Sequence, residues 1–140
     1  TCFADGKTFT DLSVSSGQVV LPSAVMKGVI GLPFAAIVET LPIRMQSQPA
    51  TGLGCVRRVG AVTLKVYKTL GLKTGTEDTN LVAFKDLSVP ANGTTGSWVS
   101  GDVRVAIFPQ WDKDGAIIVR QENPLPMTIL SAAPDVEFGG

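Results

Sequence analysis

Val59-Gly60-Ala61-Val62-Thr63-Leu64-Lys65-Val66-Tyr67-Lys68-Thr69-Leu70 decides the fold. Along an extended chain Val62, Leu64 and Val66 point one way, and Thr63, Lys65, Tyr67 and Thr69 point the other. A period of two with the charges on one side describes a sheet with one face in a core and one in water. A helix would scatter Val62, Leu64 and Val66 over most of its circumference, so the helical reading is rejected.

Working outward, fifteen glycines and nine prolines are spread through the chain and leave little room for long helices. Leu12-Ser13-Val14 and Val19-Val20-Leu21 flank Ser15-Ser16-Gly17-Gln18 and read as a hairpin. Val25 to Ile30 is a strand stopped by Gly31-Leu32-Pro33, and Phe34 to Ile43 is an apolar run whose end, at Pro42, belongs on a sheet edge. Gly71 to Asn80 and Ala91 to Gly96 are polar and turn-rich; both read as exposed loops, the second as a flexible tip. Asp102 to Ile107 alternates, and Asp112-Lys113-Asp114-Gly115 turns the chain into Ala116 to Gln121, because Gly accepts positive φ freely. Pro124-Leu125-Pro126 interrupts the ladder before Met127-Thr128-Ile129-Leu130 opens the last main strand. The expectation is a single all-β domain over residues 1–140, a mainly antiparallel β-sandwich or barrel-like fold of roughly seven to nine short strands.

Composition limits function. The chain has 140 residues, 44% hydrophobic and 17% charged, with twelve basic residues balancing twelve acidic ones. A chain near this size buries roughly 70% of its unfolded surface, enough for a core without disulfides or metals. Zero net charge argues against a dedicated nucleic-acid binder or a membrane-surface protein, and the hydrophobic content excludes disorder. No stretch approaches the roughly 18 apolar residues of a membrane span. The absence of histidine removes His-based acid–base catalysis, Ser-His-Asp and Cys-His pairs, and His metal ligands. Cys2 and Cys55 are too few for a disulfide framework; one bridge or two reduced thiols both fit. Thr1-Cys2-Phe3-Ala4-Asp5 is neither an initiating Met nor a signal peptide, so the chain reads as a domain excised from something longer.

Short motifs add little chemistry. Asp112-x-Asp114-Gly115 lacks the spacing of a calcium loop, whose sixth and twelfth positions would fall on Ile117 and Asn123, and it reads as a turn. Gly52-Leu53-Gly54 begins like a dinucleotide fingerprint, but the third glycine would fall at Arg57. Asn92-Gly93-Thr94 fits a glycosylation pattern and, without a secretory signal, marks a polar loop. Glu39, Asp86, Asp102, Asp112, Asp114, Glu122, Asp135 and Glu137 read as solvated surface unless two of them converge at a hydrolase separation. Arg57-Arg58, with Arg44, Lys65, Lys68 and Lys73 near in sequence, reads either as a solvated face protecting an edge or as a positive patch for an acidic partner subunit or passing nucleic acid. Trp98 and Trp111 sit beside loops, where they either stack on sugars or cap the core.

Several phrases occur in a telling order: Ile30-Gly31-Leu32-Pro33-Phe34, then Glu39-Thr40-Leu41, then Arg57-Arg58-Val59 leading into Val62 to Tyr67. Ser100-Gly101-Asp102-Val103-Arg104 and Gln121-Glu122-Asn123-Pro124-Leu125-Pro126 follow, running into Ile129-Leu130-Ser131-Ala132. Over residues 12–138 the set resembles the C-terminal region of the tail nozzle (tail tubular) proteins of short-tailed bacteriophages, and related prophage proteins look closer still. Two departures stand out: Cys55-Val56 precedes the basic pair, and Thr74 to Gly96 has no counterpart. The resemblance implies a structural virion part and not an enzyme, assembled in the bacterial host cytoplasm and located in the virion tail. It further implies a hexameric ring of the parent chain that meets tail adaptor and fibre proteins and conducts DNA without sequence-specific binding. No cofactor, metal or small-molecule substrate is expected.

Ring closure implies contacts in which one patch meets a different patch on the next copy. Gly31-Leu32-Pro33-Phe34 and Pro124-Leu125-Pro126 are the first candidates: apolar corners at strand breaks that lose little entropy on docking, unless they turn inward as corners of the core. Arg57 and Arg58 complete the candidate interface. The alternative function is a β-sandwich recognition module, carbohydrate-binding or adhesin-like, using Trp98 and the loops around Asn92 and Trp111.

Overall fold

A computed structural model describes residues 1–43, 56–87 and 89–139. Arg44, the Gly52-Leu53-Gly54 phrase and Cys55, and with Cys55 the question of a bridge to Cys2, lie outside the described residues. In chain order the strands are β1 (Cys2–Ala4), β2 (Lys7–Phe9), β3 (Val14–Ser15), β4 (Gln18–Val19), β5 (Gly28–Ile30) and β6 (Ala36–Glu39). They continue with β7 (Val56–Thr69), β8 (Lys73–Gly75), β9 (Val82–Ala83), β10 (Val99–Ala106), β11 (Trp111–Asp112), β12 (Ile118–Gln121) and β13 (Ile129–Gly139). The fold is all-β and antiparallel, with one short 3-10 turn at Lys85–Leu87. Thirteen strands lie among the described residues, more than the seven to nine expected; the β3–β4 hairpin stands where it was expected, whereas β1, β2, β8 and β9, of two or three residues, are too short for alternation to show itself.

Two sheets form a sandwich. In the first, β7 is central, with β13 along one edge and β10 and β11 sharing the other. The second runs β6-β12-β8-β9 and carries β6 on its edge, where Pro42 requires the end of that run to be. Between them lies the main core, built on Val59, Val62, Leu64 and Val66 of β7, Val103 and Val105 of β10, and Leu72, Leu87, Ile107, Ile117 and Val119. Val62 and Leu64 are fully buried. A buried Val or Leu of this kind contributes about 1.5–3 kcal/mol relative to exposure.

The alternation of β7 slips at each end. Against β13, Ala61 pairs with Asp135 and Val59 with Val136, leaving Gly60 as an extra residue. That bulge brings Val59 onto the core side with Val62 and carries Arg57, two residues earlier, inward as well. At the other end Val66 pairs with Gly101 and Thr69 with Val99, so Tyr67 and Lys68 oppose Ser100 alone. Lys68 takes a left-handed φ of 44°, and its N–H donates to the Ser100 hydroxyl at 2.9 Å. Thr69, expected outward with Thr63, Lys65 and Tyr67, is therefore fully buried. Its hydroxyl donates to the Thr128 carbonyl and accepts the Thr128 N–H, each at 3.0 Å.

Two loop expectations are corrected. Gly71 to Asn80 is not simply exposed: Leu72 and Thr74 are fully buried, and β8 pairs with β12. The Thr74 hydroxyl donates to Ile118 O at 3.0 Å, a bond that hides a polar residue in the core. Ala91 to Gly96 is no free tip, because Gly93 N–H donates to Thr8 O at 2.8 Å and Thr95 bridges to Lys7. Asp112 to Gly115 does turn the chain, but β11 joins β7 whereas β12 lies between β6 and β8. It is a corner between sheets and not a hairpin.

At the Thr69 end of the sandwich sits a small three-stranded leaf, β2-β1-β5, closed by a turn at Asp5 and Gly6 with φ of 48° and 78°. The β3–β4 hairpin lies beside it, turning through Ser16 and Gly17, both at positive φ. Cys2, Ala4 and Phe9 are the buried centre of the leaf, with Leu12, Leu21 and Val25 packed on them. Phe3 meets Trp98 edge-on at 6.0 Å, which ties the leaf to the start of β10.

Candidate functional site

Apolar surface gathers at the two ends of β7. At the leaf end, Leu12, Val14, Val19, Ile30, Leu32 and Pro33 line an open cleft of about 320 Å³. Leu32 is 91% exposed and Phe34 is exposed beside it. Ten of the eighteen exposed large apolar side chains among the described residues fall between Val14 and Leu41, with Ile37 and Val38 on β6 of the second sheet. Only Lys27 and Glu39 carry charge between positions 12 and 41. Solitary exposed apolar residues are ordinary, but a charge-poor run of them marks an interaction surface.

At the opposite end two aromatic side chains are exposed. Phe108, 68% exposed, follows β10, and Trp111, 52% exposed, pairs with Arg58 on β7. The Trp111 ring lies so close to Gly139 that a Cβ there would come within 2.8 Å of it. The two ends are separated by the length of β7, about 45 Å for fourteen extended residues.

The expected basic pair splits. Arg57 is 5% exposed; it donates to the Lys113 carbonyl, lies over the Phe138 ring at 6.0 Å, and comes within 3.3 Å of where a Cβ on Gly115 would sit. Gly115, at a φ of 59°, is thus needed both for the turn and for the room it leaves Arg57. Arg58 faces outward and pairs loosely with Glu137, at 3.8 Å. The two arginines therefore do not form one solvated basic patch, because the Gly60 bulge and the strand's alternation send them to opposite faces.

The two proline corners also part. Gly31, Leu32, Pro33 and Phe34 are exposed between β5 and β6. Leu125 is buried, and a Cβ on Gly71 would lie 2.7 Å from its Cδ1. Pro126 O accepts the Leu70 N–H, while Pro124 is only partly covered. Leu125 therefore takes the inward alternative and residues 31–34 the outward one. Trp98 and Trp111 stand at opposite ends of β10, and Asn92 Oδ1 accepts the Thr10 N–H at 3.2 Å, so the three do not share a platform.

Asp112, Glu122, Asp135 and Glu137 are engaged in structural roles. Asp112 caps its own turn, accepting from Lys113 N–H at 2.6 Å and Gly115 N–H at 3.2 Å. Arg104 pairs with Asp135 across the β7 sheet. On the outer face of the second sheet Arg120 Nη1 donates to both oxygens of Asp78, at 2.7 and 2.8 Å, while Glu122 lies 3.0 Å from Arg120 and 2.9 Å from Lys73. The hydrogen bond from Lys73 holds the Glu122 carboxyl below its ordinary range, the direction opposite to the one a general acid needs. The Asp78 carboxylate pushes the Arg120 guanidinium up. Among the described residues no three His, Cys, Asp or Glu side chains gather to hold a metal ion.

Two sequence signals mark features of this structure beyond those expected from the sequence. Phe108-Pro109 closes an alternating strand on an aromatic, and Asp5-Gly6 between Cys2-Phe3-Ala4 and Lys7-Thr8-Phe9 is the same turn signal as Asp114-Gly115. In comparison with known proteins, the chain matches no family model and no curated protein.

Proposed function

We propose that this chain is a structural, non-enzymatic β domain that works by assembly, as part of the nozzle ring of a phage or prophage tail through which DNA is ejected. The observation that supports the assembly half of this reading is the exposed, charge-poor apolar run from Val14 to Leu41. Such a surface remains costly in water until another protein covers it. The phage half rests on the order of phrases from Ile30 to Ala132. In this reading residues 31–34 meet a neighbouring subunit, the sandwich is the stiff wall, and adaptor and fibre proteins are the further partners.

Light scattering over a concentration series, followed by electron microscopy, tests the reading. A six-membered ring with a central channel is expected. A strict monomer that instead binds glycans saturably would replace it with a carbohydrate-recognition module.

A further inference from the structure

The second sheet ends on β6, which pairs with β12 and, among the described residues, with no other strand. Thr40, next in the same register, donates its N–H to the Ile117 carbonyl at 2.9 Å. Alternation then turns the N–H and C=O groups of Ala36 and Val38 toward β12 and those of Ile37 and Glu39 away from it. An edge with free backbone groups is a template for a further extended strand. Ile37 and Val38 are 52% and 53% exposed, and as neighbours along a strand they stand on opposite faces. Both faces of β6 are therefore open as well as its edge. We propose that β6 pairs antiparallel with β6 of a second copy across a two-fold axis, Ile37 lying opposite its own counterpart, so that two four-stranded sheets become one.

The other edges of the sandwich are guarded against such pairing. Edge strand β13 carries Pro134, Asp135 and Glu137, and β10 carries Asp102, Arg104 and a register shift between Val99 and Gly101. Strands β9 and β11 are only two residues long. By contrast, β6 holds an unshifted register with β12, contains no proline, and has its one charge at its last residue, Glu39. Charge, proline and bulges are the devices that keep an edge single, and β6 has the least of them.

The occupant follows from the complementarity of this segment to itself. With Ile37 on the axis, each Ala36 faces the other copy's Val38 and each Ala35 faces its Glu39, so small side chains meet larger ones. The two Glu39 carboxylates then sit four residues apart along the ladder, about 13 Å, beyond the roughly 8 Å reach of charge in physiological salt. Centring on Val38 would set Ile37 against Glu39, and centring on Glu39 would oppose like charges. Centring on Ala36 would bring Pro33, which has no N–H, into the bonded ladder. Exposed Phe34 and Leu41 flank the strand and would lie beside the other copy instead of in water. The proposal goes beyond the ring reading, because a two-fold contact joins copies in pairs whereas a ring closes head to tail.

Sedimentation velocity over a concentration series tests the pairing on the whole chain, on Ile37→Glu, on Ile37→Lys and on an equal mixture of the two variants. Ile37 is half exposed, and unchanged thermal melting checks that both variants fold. The wild type should dimerise, and each variant alone, which sets like charges opposite each other, should do so on the order of tenfold more weakly. The mixture sets opposite charges face to face and should recover the dimer. Amide exchange at Ile37 and Glu39, whose N–H groups point outward, should slow as the wild-type dimer forms. A wild type that stays monomeric, or a dimer that both variants keep, overturns the pairing. A mixture no stronger than either variant overturns the placement of Ile37 on the axis. If the wild type and both variants form the same six-membered ring, the pairing fails and the ring reading stands. If the wild type stops at a dimer that only the mixture restores, the pairing stands and the ring fails.

Discussion

The sandwich, formed by β6 and residues 56–139, and the segment from Thr1 to Phe34 are both rich in Val, Ile and Leu, yet only the first encloses a large core. The sandwich centres on the fourteen-residue β7, which is paired on both edges and buries Val59, Val62, Leu64 and Val66 against a second sheet. The segment from Thr1 to Phe34 has strands of two or three residues and a buried apolar centre of Cys2, Ala4 and Phe9. Strands that short present too little of a face to cover one another, so the rest of their apolar side chains stay in water. The contrast shows that apolar content measures the demand for burial, whereas strand length and pairing determine whether the chain meets it alone. Here the sandwich covers its core, and the segment from Thr1 to Phe34 leaves most of its large apolar side chains exposed.

The comparison is broken most severely at Leu64. Leu64→Ala should destabilise the whole molecule by about 2–5 kcal/mol, because a fully buried residue between two long strands leaves a cavity that the sheets cannot close. Chemical denaturation measures it; a loss under about 1 kcal/mol would mean that the sandwich core is slack. Phe9→Ala should act locally. Amide exchange should rise through residues 2–30 with little change in β7, since the leaf joins the sandwich through a few bonds at Thr8, Thr95 and Phe3. Equal loss of protection in β7 would show the two regions to be one cooperative unit.

Phe34→Ala sharpens the contrast from the other side. Phe34 is exposed, so its removal should shift stability by less than about 0.5 kcal/mol while weakening association. A large fall in melting temperature would place the side chain in the core instead. The smallest effect belongs to Glu122. Its carboxyl titrates lower in the folded chain than in the unfolded one, because Lys73 donates to the charged form. The stabilisation is thus present above the ordinary carboxylate range, about pH 4.3, and is lost as pH falls through the lower folded value. Glu122→Gln should flatten that acid dependence slightly, since both partners are well exposed to solvent. A steeper dependence in the variant would contradict the assignment.

Much of the sandwich was legible from alternation alone. Val62, Leu64 and Val66 could be placed inward without a structure, as could the edge position of the run ending at Pro42. Bulges were not legible: nothing local in Tyr67-Lys68-Thr69 announces that Ser100 will take the Lys68 N–H and turn Thr69 inward. The same limit hid Arg57, whose burial depends on the extra residue Gly60 and on Phe138 and Lys113, distant in sequence. Of the candidate interface, residues 31–34 carried their signal in an apolar phrase with no adjacent charge, and they are exposed. Leu125 looked the same in sequence and is buried, because a proline corner shows where the chain turns but not whether it turns toward the core.

The proposal that joins these observations is that the exposed apolar run from Val14 to Leu41 is covered by further copies of the chain. The most direct measurement is the solution mass of the unaltered chain across a concentration series. The account predicts a mass that climbs from the 14.7 kDa monomer toward multiples of it. A mass fixed at 14.7 kDa at every concentration would contradict it.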